Sequence, residues 1–365
     1  MSGDPAALIW TGFHGSASAH GGDLRADQIS TLCAEAGCEP ELIRMSDPIP
    51  PWRRWYRGVR GVSALHQLGL PVPWRSVSLT GYTIGALERL LAARPRTRLM
   101  IWESTETPLP ALIARRFGRA VLALPHNVEA FDGTIDCLQQ VRGEGIALRW
   151  ATQVTCIAEE DRWFWANLGI AADFLPYYPT AARQRWLGEI ASRRRQAPPL
   201  ASAPWLILGT AHHLPTLQGM RTILTWLAEV GDRAGLVCVA GGGTEKLRDQ
   251  FEGPRLRCLG SINQIDLTDI LATTRGLIVH QESGSGALTR IPEALCAGVP
   301  VIASVIAARS TRGYSGIQVY ENIEEFRACL AQNPPRELPH LAAPTDAIRR
   351  FQAVVRRLAR SDSRC

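Results

Sequence analysis

Short apolar runs of strand character alternate with longer helix-like stretches along almost the whole sequence, and this pattern leaves few folds open. The first runs stand at 6–10, 41–45, 98–102, 120–124 and 153–158, with helical patterns at 23–36, 83–93, 108–117 and 136–149 between them. Thr107 before Pro108 offers a hydroxyl cap, followed by a residue whose missing N–H is no loss in a first helical turn. Strand, helix and strand joined by short connections predict a mainly parallel sheet covered on both faces. Pro176, Pro179, the basic run Arg193, Arg194 and Arg195, and the stretch APPLASAP at 197–204 then interrupt the pattern. It resumes with strands at 205–208, 236–240, 256–259, 276–280 and 299–304, and helices at 216–230, 244–251, 264–273 and 291–297. A last amphipathic stretch covers 346–359. The expectation is an α/β chain of two doubly wound, Rossmann-like domains facing across a cleft. Their bounds are 1–180 and 205–340, with a linker over 181–204 and a C-terminal helix within 341–365 that packs back on the first domain. A chain of 365 residues is long enough for two cores. In such sheets ligands bind in loops beyond the carboxyl ends of the strands.

One stretch breaks the alternation. Residues 48–75 include PPWRRWYRGVRG and PVPWR, where arginine is interleaved with tryptophan and tyrosine. Read plainly, this is a surface excursion whose aromatic rings pack on the first domain. The same mixture over 50–61 also suits peripheral contact with a membrane surface or a lipid-linked acceptor. No apolar run is long enough to span a bilayer, and the opening MSGDPAALIW lacks the parts of a secretory signal, so a cytoplasmic chain is expected, peripheral at most on the inner face of the membrane. Nine cysteines, none in a C-x-x-C pair, indicate neither disulfides nor zinc. The net charge of +6 is carried almost wholly by arginine, with Lys246 the only lysine. Arginine forks suit phosphate oxygens, but dispersed arginines without a reading motif do not predict a nucleic-acid partner.

The segment richest in chemistry is GLIVHQESGSGALTRIPEALCAGVPVIAS, 276–304. A strand ends at His280, a glycine-rich loop follows, and a helix then carries Glu293. Glycines let backbone amides approach a ligand, and a helix start collects amides for phosphate oxygens. Arg290, at that start, is placed to neutralise a diphosphate, and Glu293, a turn further on, to accept hydrogen bonds from ribose hydroxyls.

This segment resembles the donor-binding signature of family 4 glycosyltransferases, a retaining group with the GT-B fold. The helix motif E-A-x-x-x-G-x-P-V is matched by Glu293, Ala294, Gly298, Pro300 and Val301. Gly284, Ser285, Gly286 and Arg290 resemble the variant with G-S-G and a basic residue. Ser285 stands where the family has an earlier glutamate, and Glu282 lies three residues before it. GGDLR, with Gly21, Gly22 and Arg25, resembles the loop that faces the donor phosphates and acceptor. PHNVE, with His126, Asn127 and Glu129, resembles the family's histidine loop, and CIAEEDR the end of its first domain. WLILGTAHHLPTLQGM, with Gly209 and His212, resembles the strand opening the second domain. LVCVAGGGTEKL and RLRCLGSI, the latter with Gly260 and Ile262, resemble the next two, and the loop after the last lies near the nucleobase in the family. The resemblance spans about residues 6 to 332. The family's donor-binding arginine and lysine after the second domain's first strand are replaced here by Ala211, His212, His213 and Gln218.

The resemblance implies transfer of a sugar from a nucleotide diphosphate sugar to a hydroxyl acceptor with retention. His126 is the expected catalytic residue, as a neutral imidazole meeting the donor sugar or orienting the acceptor. Donor binding is assigned to Glu293, Arg290, Gly284, Ser285, Gly286, Glu282, Gly209, His212, Gly260 and Ile262, and the acceptor or phosphate loop to Gly21, Gly22, Arg25, Asn127 and Glu129. Neither a metal nor a cofactor beyond the donor is expected, and the acceptor is a glycan, a lipid-linked or a small-molecule hydroxyl compound of the kind used in cell-surface polysaccharide assembly. No D-x-D, G-x-x-x-x-G-K-[ST], G-x-S-x-G or G-x-G-x-x-G occurs where metal-dependent transfer, P-loop, hydrolase or dinucleotide chemistry needs it. A GT-B-shaped chain without catalysis and a sugar-nucleotide epimerase are the rivals.

Overall fold

A computed structural model of the chain describes residues 7–10, 21–43, 50–67, 70, 77–103, 108–132, 137–231, 235–332 and 337–360. The chain forms two compact units, Met1–Pro176 with Pro344–Cys365, and Tyr177–Ala343.

The first unit is built on strands β1 (Ala7–Trp10), β2 (Pro40–Leu42), β3 (Leu99–Trp102), β4 (Ala120–Ala123), β5 (Gln153–Cys156) and β6 (Ala172–Phe174). They form one parallel sheet in the order β2-β1-β3-β4-β5-β6. The runs LMIW and AVLA are buried on both faces, which is why they read as continuous apolar stretches rather than as alternation. Leu8, Met100, Trp102 and Val121 fill one face, and Ala7, Ile9, Ile101 and Leu122 the other. Helices α1 (Gly21–Glu35), α2 (Pro51–Gln67), α3 (Val77–Ala93), α4 (Leu109–Arg116), α5 (Cys137–Leu148) and α6 (Glu159–Asn167) connect the strands. Thr107, the cap read from the sequence, lies outside the described residues.

The second unit repeats the plan. Strands β7 (Trp205–Leu208), β8 (Val237–Ala240), β9 (Leu256–Gly260), β10 (Gly276–Val279), β11 (Val301–Ser304) and β12 (Ile317–Tyr320) run parallel in the order β12-β11-β10-β7-β8-β9. Its helices are α7 (Ala181–Gln196), α8 (Leu214–Val230), α9 (Arg248–Phe251), α10 (Gln264–Thr273), α11 (Arg290–Cys296) and α12 (Ile323–Ala331). The last helix, α13 (Thr345–Arg360), returns to the first unit. Its Ala347, Phe351, Val355 and Leu358 are buried with Ile29, Leu32 and Leu122.

Two stretches differ from the sequence reading. Residues 181–196, expected as linker, are helix α7, because the prolines stand at its ends and Leu187 and Ile190 enter the second core, with Ala191 buried on the same stripe. Arg194, read as part of a basic run, is 1% exposed and donates from Nη1 to the carbonyls of Leu271 (2.6 Å) and Thr274 (2.8 Å) and from Nε to that of Gly298 (2.9 Å). The second stretch, read as a surface excursion whose rings pack on the first domain, is helix over 51–67, with Trp52 and Trp55 exposed. Pro51 opens α2, and Val62 and Leu65 anchor it. Gly58 and Gly81 allow α2 and α3 to touch, since a Cβ on Gly81 would fall 1.7 Å from the Arg54 carbonyl. The short elements β6, β12 and α12 had no counterpart among the expected ones.

Candidate functional site

In the second unit the strand order reverses between β7 and β10, and the crevice beyond their carboxyl ends is where such sheets bind ligands. Three loops are laced together there by backbone bonds. Gly209 N–H donates to Ala240 (3.0 Å), Ala211 N–H to Gly242 (2.7 Å), and Gly241 N–H to Gly260 (2.8 Å). Gly241, at φ 126°, accepts no side chain, since a Cβ would fall 2.0 Å from the Gly209 carbonyl. His212 is exposed and its ring lies over this glycine loop, 3.0 Å from where a Gly243 Cβ would sit. Ile262, after β9, is half-buried against the core.

Arg290 reaches into this crevice from the first residue of α11. Its Nη1 lies so close to Gly209 that a Cβ on the glycine would fall 2.6 Å away. Among the described residues its guanidinium has no hydrogen bond or ion pair, and its Nε is buried without a partner. It borders a small apolar cavity with Ile207, Met220, Ile278 and His280. Burial first, and then the charge of Arg309, push its pKa down to about 10, so at neutral pH it remains a cation without a counter-charge.

The 284–286 loop is shaped from beneath by Arg309. Buried, it donates from Nε to the Gly286 carbonyl (2.6 Å), from Nη1 to Gln281 Oε1 (3.2 Å) and the Ile306 carbonyl (2.7 Å), and from Nη2 to the Ser285 carbonyl. Gly284 and Gly286 take φ of 111° and 72°, which other residues rarely adopt. Because C=O and the next N–H oppose one another in a trans peptide, the amides of Gly286 and Ala287 point away from Arg309.

Two carboxylates assigned to the donor are already engaged. Glu293 accepts from Arg183 Nε at 2.7 Å and Nη2 at 3.0 Å, and from the Tyr177 hydroxyl at 3.1 Å. Burial, and secondarily Glu293, hold the Tyr177 hydroxyl well above the ordinary phenol range. Glu282, exposed, accepts from Thr222 on α8 at 2.7 Å. Next to it, His280 is 6% exposed, bonds the Tyr320 hydroxyl through Nδ1 at 2.7 Å and stands edge-on to Trp226. Burial lowers its pKa, partly offset by Glu282. The ring is therefore neutral.

In the first unit, Gly21 and Gly22 form the start of α1 rather than a loop. Arg25 is 2% exposed and donates to Gln28 Oε1 at 2.6 Å and, more weakly, to the Pro176 carbonyl at 3.5 Å. His126 and Asn127 follow β4 half-buried, and Glu129 opens a short 3-10 helix, Glu129–Asp132. His126 Nε2 stands 3.3 Å from Oε1 of the buried Glu103. Thus the structure gathers Gly209, His212, Gly260 and Arg290 around one crevice, while Glu293 faces α7 and Glu282 faces α8. Sequence reading missed Tyr177, Arg183, Arg309 and Glu103. Only Glu103 left a signal, as a polar residue directly after the apolar run LMIW.

No protein-family model matches the chain, and no curated protein matches it. Solved structures do. Sucrose-phosphate synthase from Thermosynechococcus elongatus aligns at 14% identity and a TM-score of 0.61, over 97% of this chain and 94% of that one. The fold is GT-B. Anabaena HepE in complex with UDP and glucose aligns at 13% identity and a TM-score of 0.56, over 97% and 94% of the two chains. UDP-GlcNAc 2-epimerase from Methanocaldococcus jannaschii, at 11% identity, covers 95% of this chain and 98% of its own with a TM-score of 0.54. At these identities the shared property is the GT-B fold itself. Among the described residues no helix is long and apolar enough to cross a membrane.

Proposed function

We propose that this GT-B chain is a metal-independent, retaining glycosyltransferase of the hexosyltransferase type, moving a sugar from a nucleotide diphosphate sugar to a hydroxyl acceptor. The observation that carries this reading is Arg290, a cation without a counter-charge at the switch point of the second sheet. A guanidinium held there is destabilised until an anion joins it, and a diphosphate supplies two adjacent anionic groups for its fork. The amides of Gly286 and Ala287 and the histidine at 212 complete the cradle in this reading. Glu293, braced by Arg183, keeps lone-pair capacity on Oε2 for a ribose hydroxyl. His126 meets the sugar or orients the acceptor, and no cofactor beyond the donor takes part.

The exposed rings of Trp52, Trp55 and Tyr56 on α2, beside the exposed Arg53 and Arg60, support an acceptor at a membrane surface. In this reading the chain works in the cytoplasm, peripheral to the inner face of the membrane, in assembly of cell-surface polysaccharide or glycoconjugate. Glu293's pairing with Arg183 and Tyr177 favours one rival, a GT-B-shaped binding partner without catalysis. A thermal-shift series with UDP, GDP, ADP and TDP decides between them and an empty fold. One nucleotide is expected to raise the melting temperature, by about 2.7 kcal/mol of stabilisation at a hundred times its dissociation constant, and Arg290→Gln to abolish the rise. No rise with any nucleotide would sink the donor site. A rise without sugar transfer to any acceptor would favour the binding partner.

A further inference from the structure

In the first unit the strand order reverses at β1, between β2 and β3, and Glu103 follows β3 at that reversal. Its backbone N–H donates to the Trp10 carbonyl at 2.9 Å, so it continues the ladder to β1 past the end of β3. Its side chain is 0% exposed, and among the described residues neither carboxylate oxygen has a hydrogen-bond donor. A basic group lies against it: His126 Nε2 is 3.3 Å from Oε1, within ion-pair distance but out of line for a hydrogen bond. Cys33 on α1 also feels this carboxylate, but its thiol is held protonated, by burial first and then by Cys38 and Glu103, so it adds no competing charge.

A carboxylate buried in this way is strongly disfavoured unless a proton or a cation lies against it. A strand end inside an apolar core is a place where leucine or valine would pack at no such cost. We propose that Glu103 is the positioning residue of His126: its carboxylate, 3.3 Å from Nε2, keeps a proton on that nitrogen and thereby selects the tautomer and sets the ring's direction. The inference rests on the reading of His126 as the group that meets the sugar. With Nε2 turned to Glu103, the ring is held in one orientation toward the reacting partners. A ring free to exchange tautomers would present the wrong nitrogen part of the time. Loss of Glu103 therefore affects turnover rather than donor affinity.

The test uses full-length protein labelled with 15N in histidine, the His126 signals being assigned by their loss in His126→Gln. The parent is expected to show a proton fixed on Nε2, Glu103→Gln a mixture of tautomers, and Glu103→Asp a return towards the parent. In turnover assays Glu103→Gln is expected to lower kcat on the order of tenfold or more, with KM for the donor and the nucleotide-induced melting shift unchanged. A His126 spectrum that is the same in parent and Glu103→Gln would overturn the assignment, as would an equal loss through KM alone. The spectrum needs no substrate. A fixed Nε2 proton in a parent without transferase activity would therefore count against glycosyl transfer and leave the Glu103–His126 pair standing.

Discussion

Arg290 and Glu293 sit three residues apart on one helix and have opposite fates. Arg290 lies against the glycine of the β7 loop without a partner among the described residues, whereas Glu293 is clasped by a bidentate arginine. Residue type alone does not distinguish these states, since both read as charged groups in a first helical turn. The consequence for experiment is direct. Glu293→Ala removes the counter-charge of Arg183, whose side chain is 23% exposed, and leaves Tyr177 without its acceptor. A loss of about 1–3 kcal/mol is expected, read as a fall of several degrees in melting temperature without any ligand. Glu293→Gln, which keeps an acceptor for Tyr177, is expected to lose less. If Glu293→Ala melts with the parent, the Arg183 clasp contributes nothing and its geometry is incidental. Arg309 teaches the same lesson, because it holds the Ser285 and Gly286 carbonyls from a position that follows the next strand.

At the scale of elements, α2 shows how a helix escapes notice when its aromatic residues face outward. Its exposed side carries Trp52 (66%), Trp55 (65%) and Tyr56 (58%), and Leu79 of α3 is equally bare. Arg53 and Arg60 lie over the Trp52 and Tyr56 rings at 5.0 and 5.7 Å. Aromatic rings with arginine between them are suited to the headgroup layer of an anionic bilayer. Sedimentation with vesicles rich in anionic lipid is expected to carry the parent down. Replacing Arg53 and Arg60 by glutamine is expected to weaken binding by about 2 kcal/mol in all, roughly thirtyfold, and added salt to do the same. Equal sedimentation with neutral and anionic vesicles would remove charge from the account. Helix α7 failed to register for a different reason. Its arginines suggested a solvated linker, whereas Arg194 is buried and ties the ends of neighbouring elements.

For the whole molecule, the decisive fact is that the chain leaves the first unit at Pro176 and returns to it at Pro344. The first core is therefore incomplete without α13, whose Phe351, Val355 and Leu358 fill the face made by Ile29, Leu32 and Leu122. Their burial is worth at most about 5–9 kcal/mol, comparable to the whole stability of an ordinary domain. A chain ending at Ala343 is expected to lose the first unit to limited proteolysis while the second still responds to nucleotide. Protease resistance of the first unit in that chain would show that α13 is dispensable. Much of this architecture was legible beforehand. Twin series of strands and helices, continuous apolar strands, the glycines at 284 and 286, and the amphipathic final helix all follow from periodicity and backbone preference, which near neighbours dictate. Which unit α13 joins, that Arg183 holds Glu293 from 110 positions away, and that Glu103 lies against His126 follow only from packing. A side chain's partner depends on which strand ends and helices the fold brings side by side, and that adjacency is a property of the folded chain, carried by no local pattern.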